Sequence, residues 1–333
     1  MAVHCRRHLD YSNRKVTGRR ETMTTKLSSL TRRSFCRRLV AIAVLPLAAR
    51  CGAMAQTDTR RKIQTSILEV PGARLYYETH GSGPVMLMVT GASGTADSFR
   101  RVTEHLAAHY TVVIYDRRGF SRSQLDGPQN YDHRLETDAD DVRRLIEHLS
   151  DKPATVFGSS SGGLVALKVL ARHPSVVRTL VPHEPPAVRL LADGQKWIDF
   201  FFGVYDLYRQ SGIEPALKKF REQAFAESDR QAMARAPKNE YTLANATYWF
   251  EHELRQYPGV DLDLAALKAH ADRIVLTVGR ESRGHPTYEV NVELSKKLGR
   301  ELIDLPGGHV GFLTQPAEFA REFLQTLTRT QRK

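Results

Sequence analysis

Past residue 55 this chain of 333 residues has no cysteine; its three, Cys5, Cys36 and Cys51, all come earlier. The later part therefore holds no disulfide and no thiolate-ligated metal. It also lacks any apolar run approaching the roughly 20 residues that a membrane-spanning helix needs. No H-E-x-x-H pattern is present to hold zinc on one helix face. Glu251-His252-Glu253 offers metal-binding side chains, but adjacent residues of a helix diverge around its axis, so the triplet does not read as a metal site. Internal repeats and low-complexity stretches are missing as well. The formal net charge of +12 is concentrated at one end: residues 1–55 hold 12 of the 49 Lys+Arg and two of the 37 acids. The rest carries 37 basic against 35 acidic side chains, a net of +2, which removes the electrostatic footprint expected of a nucleic-acid partner.

That basic leader resembles the twin-arginine export signal. Thr31-Arg32-Arg33-Ser34-Phe35-Cys36-Arg37 precedes a short apolar run, Leu39 to Ala49, and Ala53-Met54-Ala55 supplies an A-x-A cleavage site. The resemblance implies a signal peptide over residues 1–55, Gln56 as the mature N-terminus, and a periplasmic or secreted protein. Cys51 as a lipidation site fits poorly, since Arg50 stands where a small residue is needed, so no membrane anchor is expected after cleavage. Met23 is an alternative start.

The mature chain alternates two periodicities. Ile67 to Val70 and Ala73 to Thr79 flank the turn pair Pro71-Gly72 and predict a hairpin. Apolar runs at Pro84–Val89, Thr111–Tyr115 and Ala154–Phe157 predict strands of a buried parallel sheet, with further strands at Val176–Pro182, Ile274–Gly279 and, last, Glu301–Leu305. Between them, helical spacing runs through Ser98–His109, Leu135–Leu149, Leu164–Leu170, Tyr288–Leu298 and Ala317–Leu327. The implied class is α/β, a doubly wound and mostly parallel sheet. The alternation stops over residues 188–264, which are helical and aromatic with no convincing buried strand. The expected organisation is a core in two parts, 56–187 and 265–333, with 188–264 as a helical lid.

The element around which the chain is organised is Gly158-Ser159-Ser160-Ser161-Gly162, placed between a strand and a helix. Two glycines allow a turn tight enough to raise the Ser160 hydroxyl above the sheet, with a helix N-terminus behind it. This strand–turn–helix G-x-S-x-G resembles the nucleophile elbow of the α/β-hydrolase family. Three other stretches resemble the same family in the same order: the Thr90-Gly91 loop, Tyr115-Asp116-Arg117-Arg118-Gly119, and Gly307-Gly308-His309. Together they cover most of residues 67–325.

The resemblance assigns roles. His309, in a glycine-rich loop after the last strand, takes the place of the family's catalytic base, in the order Ser, acid, His. The acid has two candidates. The commoner family place follows the strand ending at Gly279, where the expected slot holds Ser282 and Glu281 lies one residue off. The other is Glu184, at the end of the strand after the elbow helix and 24 residues beyond Ser160. That spacing is similar to that of fungal-type zearalenone lactone hydrolases, which use a glutamate there. The oxyanion hole falls to backbone N–H groups of Ser161 and of Ala92, with Gly91 adjacent. Asp116 reads as a structural partner of a nearby arginine.

The implied activity is a cofactor-free serine hydrolase acting on a small-molecule ester or lactone of small or medium size and hydrophobic character. The same triad also serves C–C bond hydrolysis and perhydrolysis, and a fold of this kind can be kept as a non-turnover binding protein. Ser160 argues against the family branches that use an aspartate nucleophile.

Overall fold

The computed structural model describes residues 63–331; the expected signal peptide and its cleavage site lie outside the described residues. The first strands, β1 (Gln64–Val70) and β2 (Ala73–His80), form the expected hairpin, with Val70 opposite Ala73. Next come β3 (Val85–Val89), β4 (Thr111–Tyr115), the two-residue β5 (Gln124–Leu125), β6 (Ala154–Ser159), β7 (Val177–His183), β8 (Leu276–Gly279) and β9 (Leu302–Leu305). Their order across the sheet is β1-β2-β4-β3-β6-β7-β8-β9, with β5 beside β2. Pairing is antiparallel where β2 meets β1, β4 and β5, and parallel in every other pair.

The helices are α1 (Arg100–Leu106), α2 (Arg134–Leu149), α3 (Ser161–Arg172), α4 (Gly194–Ser211), α5 (Ile213–Ala224), α6 (Glu227–Arg235), α7 (Thr242–His252), α8 (Leu264–Ala269), α9 (Pro286–Leu298), α10 (Gly311–Thr314) and α11 (Pro316–Gln331). They explain why the strand sequences do not alternate. Leu87 and Val89 of β3 join one core with α2 and α3, while Met86 and Met88 join another with α1 and α11. A strand covered on both faces must be apolar at every position. Phe157 sits at the centre of the second core, its ring edge-on to Phe99, Phe319 and Phe323.

Some boundaries differ from expectation. Ile274 makes only an isolated bridge to Leu180, because its N–H closes the turn on Ala271, and β8 proper begins at Leu276. The α1 helix is shorter than its apolar spacing suggested, preceded by a tight turn over Ala96–Phe99 and followed by another in which Tyr110 N–H bonds back to Leu106. Between β7 and β8 the chain runs through α4 to α8 with no strand among the described residues. No helix among the described residues is long and apolar enough to cross a membrane.

Candidate active site

Strand β6 ends at Ser159 and α3 starts at Ser161, which leaves Ser160 alone in the bend at φ 56° and ψ −126°. A non-glycine residue there costs about 1–3 kcal/mol and persists only when its surroundings enforce it. The surroundings do so: Ser160 N–H donates to His183 O at 2.9 Å, and Ser160 O accepts from Gly163 N–H at 2.7 Å. Close packing explains the flanking glycines. A Cβ on Gly158 would lie 2.2 Å from Gly162 O, and one on Gly162 would lie 2.1 Å from Val89 O. We therefore expect Gly162→Ala to destabilise the fold by about 1–3 kcal/mol, the usual penalty for an overpacked interior. A fall in the urea midpoint reads this directly, and an unchanged midpoint would contradict the packing argument.

Strand β7 ends at His183, and Glu184 follows at φ 49°, another positive value for a non-glycine residue. The backbone kink turns the carboxylate into the protein, where it is fully buried. Glu184 Oε2 lies 2.6 Å from His309 Nδ1 and accepts from Thr287 Oγ1 at 3.1 Å, while Oε1 accepts from Gly279 N–H at 2.8 Å. Burial pushes this carboxyl upward, but the His309 bond, the neighbouring imidazoles and the Gly279 N–H outweigh it and hold it at about 2. The neighbouring His183 is driven the other way by burial, to about 4, and so is uncharged at neutral pH.

The folded value for Glu184, about 2, lies below the ordinary 4.5, so the unfolded chain binds more protons between those limits. The stabilisation is present above pH 4.5 and is lost as pH falls toward about 2. Urea midpoints measured across that window should fall more steeply for the wild type than for Glu184→Gln; parallel curves would contradict the assignment.

His309 follows β9 and is 3 % exposed, with the Phe225 ring 4.6 Å from its imidazole. Among the described residues no hydrogen bond joins the imidazole to the Ser160 hydroxyl. Such bonds are often long without substrate and tighten in the complex. Gly91 lies against Ser160: a Cβ there would be 2.8 Å from Ser160 Cβ. Ala92 is the next residue and is half-buried, and Ser161 is the buried first residue of α3.

The structure does not bring Glu281 to the imidazole. It lies exposed on the turn after β8, where Gln315 Nε2 donates to its carboxylate at 3.3 Å. Ser282 is buried, and among the described residues its hydroxyl has no hydrogen-bond partner. Asp116 is paired as expected, accepting from Arg122 Nε at 2.6 Å and from Ala96 N–H at 2.7 Å.

Two acids that the sequence pattern did not single out for these contacts also reach this region. Glu253, just past α7, is buried and takes both Nη groups of Arg117, at 2.8 and 3.0 Å. Arg117 Nη1 in turn donates to Gly91 O at 3.3 Å, so the helical segment and the loop beside Ser160 share one arginine. Asp229 of α6 meets the backbone of His309. Both contacts span long stretches of sequence, and no local pattern signals them.

A family model described as the alpha/beta hydrolase fold matches residues 84–316. A Bacillus subtilis protein named "Uncharacterized hydrolase YraK" is 36% identical over 275 residues, covering 81% of this chain and 98% of that protein. The zearalenone hydrolase of Cladophialophora bantiana is 25% identical over 275 residues, covering 80% and 97%. Among solved structures, the enol-lactonase of Burkholderia xenovorans LB400 superposes with a TM-score of 0.62 at 17% identity, covering 79% of this chain and 100% of that one. A thermophilic esterase from Thermogutta terrifontis gives 0.63 at 18%, covering 81% and 99%. The structural likenesses, at such low identity, speak to fold alone. The matched family model and the Bacillus relative go further: this chain belongs to the α/β-hydrolase family.

Proposed function

We propose that this hydrolase cleaves a small or medium hydrophobic carboxylic ester or lactone through an acyl-enzyme on Ser160. The observation that carries the reading is the buried contact of 2.6 Å between Glu184 Oε2 and His309 Nδ1. A carboxylate held charged on Nδ1 keeps the proton on that nitrogen and leaves Nε2 free to accept one. Ser160, on the strained bend at the end of β6, is the nucleophile that this base serves.

In the proposed sequence His309 Nε2 takes the hydroxyl proton as Ser160 Oγ bonds to the substrate carbonyl carbon. The backbone N–H groups of Ala92 and Ser161 receive the oxyanion, supported by the partial positive charge at the α3 N-terminus. The imidazolium then protonates the departing alkoxide, and the ester C–O bond breaks. Water, deprotonated by the same nitrogen, releases the acid and restores the serine. In a lactone the protonated leaving oxygen remains a hydroxyl of the acyl group, so a single hydroxy acid departs at that last step.

Helices α4 to α7 serve as the lid over this centre. Phe225 packs on the imidazole, Phe220 lies 5.2 Å from Phe225, and Trp249 lies 5.1 Å from Phe220. Such a wall favours an apolar substrate, since ligand sites are mostly apolar with a few placed polar groups. The relation to a zearalenone hydrolase adds support for a lactone within the ester class. Turnover of p-nitrophenyl acetate and butyrate, and of a lactone titrated for released acid, tests the reading. Saturable turnover of an ester or lactone is expected; a folded protein that turns over none of them would sink it.

A further inference from the structure

Asp229 is buried to the last atom, yet no cation touches it among the described residues. Its two oxygens go elsewhere. Oδ2 accepts from His309 N–H at 2.9 Å and Oδ1 accepts from Val310 N–H at 3.0 Å. A buried carboxylate without a counter-charge is costly, and burial accordingly raises its pKa. The backbone on the other side is adapted to it: a Cβ on Gly308 would lie 2.2 Å from Asp229 Oδ2, so only glycine admits the carboxylate there.

Asp229 does not belong to the sheet that carries the histidine loop. It sits in the first turn of α6, four residues beyond Phe225, whose ring packs on the same imidazole. One short piece of the α4–α7 segment therefore grips His309 at both its ring and its main chain. With α6 lifted, two backbone N–H groups of the loop lose their partners and nothing else described replaces them. The loop carries Nδ1 to a fixed carboxylate just past the end of β7, so a small displacement of its backbone opens the contact with Glu184.

We propose that Asp229 is a positioning residue that holds the His309 backbone so that Nδ1 stays on Glu184, which makes a competent histidine conditional on α6 being seated. Catalytic use of that geometry rests on the reading of His309 as the base, whereas the geometry itself can be observed without turnover.

The test uses the full chain with Asp229→Ala and Asp229→Asn. Three quantities are compared with wild type: the far-downfield proton NMR resonance of His309 Nδ1–H, assigned by its loss in His309→Ala; kcat and KM for p-nitrophenyl butyrate per site titrated with a fluorophosphonate; and the melting temperature. In Asp229→Ala the resonance should vanish and kcat per titrated site should fall roughly 100-fold, as for a catalytic group displaced by about an ångström. KM should change little, because uniform binding is untouched. Asp229→Asn keeps one acceptor oxygen and should give a smaller loss, and it stands in for the alanine variant should that one fail to fold.

A resonance and a kcat per site equal to wild type overturn the proposal, even where the melting temperature drops, because the contact is then merely structural. The two readings fail separately. Loss of the resonance in a protein whose wild type turns over no ester would sustain the positioning role and sink the ester reading. An active wild type with an indifferent Asp229→Ala would do the reverse.

Discussion

Ser160→Ala should lower kcat for p-nitrophenyl ester hydrolysis by roughly 10⁴- to 10⁶-fold with no loss of fold, the range seen when the nucleophile of a serine triad is removed. Structure and chemistry point the same way. Ser160 is held at φ 56° by hydrogen bonds of its own backbone to His183 and Gly163, neither of which uses the side chain. Removing the hydroxyl therefore leaves the bend intact, and a change in melting temperature is expected to be small. Residual turnover above the uncatalysed rate should survive, because the proposed oxyanion donors and binding wall do not depend on Oγ. A variant that keeps a tenth of its activity would place the nucleophile elsewhere.

Glu184→Gln is expected to cost roughly 10⁴-fold in kcat, about the effect of the equivalent acid-to-amide change in a serine triad. The amide oxygen can still accept from Gly279 N–H, as Oε1 does at 2.8 Å. Its NH₂ group must then face His309 Nδ1, where Oε2 now sits at 2.6 Å. A donor there requires Nδ1 to accept, which moves the ring proton to Nε2 and leaves no base for Ser160. The shape of the site survives while its tautomer is wrong. Glu281→Gln should stay within a few-fold of wild type, since that carboxylate is exposed and engages Gln315 rather than the imidazole. Collapse of Glu281→Gln with an active Glu184→Gln would reverse the assignment of the acid.

The contrast between these two glutamates shows where reading the chain runs out. The elbow was legible because its signal is local: an apolar strand, two glycines that no side chain could replace, and an apolar helix. The placement of His309 is equally local, in a glycine-rich loop after the final strand. For the carboxylate partner of His309 the sequence leaves two glutamates, each just beyond a strand end. What separates them is the φ of 49° at Glu184, which turns its side chain inward and is not written in any local preference for glutamate. Asp229 and Glu253 lay further out of reach, 80 residues from His309 and 136 from Arg117. Their partners are set by how α6 and α7 fold back over the strand ends, which is a tertiary event. Strand edges also shifted where a turn competed with the ladder, as at Ile274.

The buried arginine network gives the helical segment a second hold on the site. Arg117 and Arg134 both meet Glu253, and Asn245 of α7 accepts from Ser121 N–H while donating to Ser93 O. Buried pairs of this kind do little for net stability but leave an uncompensated charge when one partner is lost. They fix the register of α7 over the loops that follow β3 and β4. In the proposed mechanism that register sets the oxyanion loop, as Asp229 sets the histidine.

The central claim is that Ser160 is a nucleophile made reactive by the His309–Glu184 pair. Covalent trapping addresses it most directly: intact-mass spectrometry after exposure to a p-nitrophenyl phosphonate, followed by peptide mapping. One adduct per chain, on Ser160, forming far more slowly in Glu184→Gln and not at all in Ser160→Ala, is the expected result. An adduct on another residue, or equal labelling of wild type and Glu184→Gln, would contradict the account.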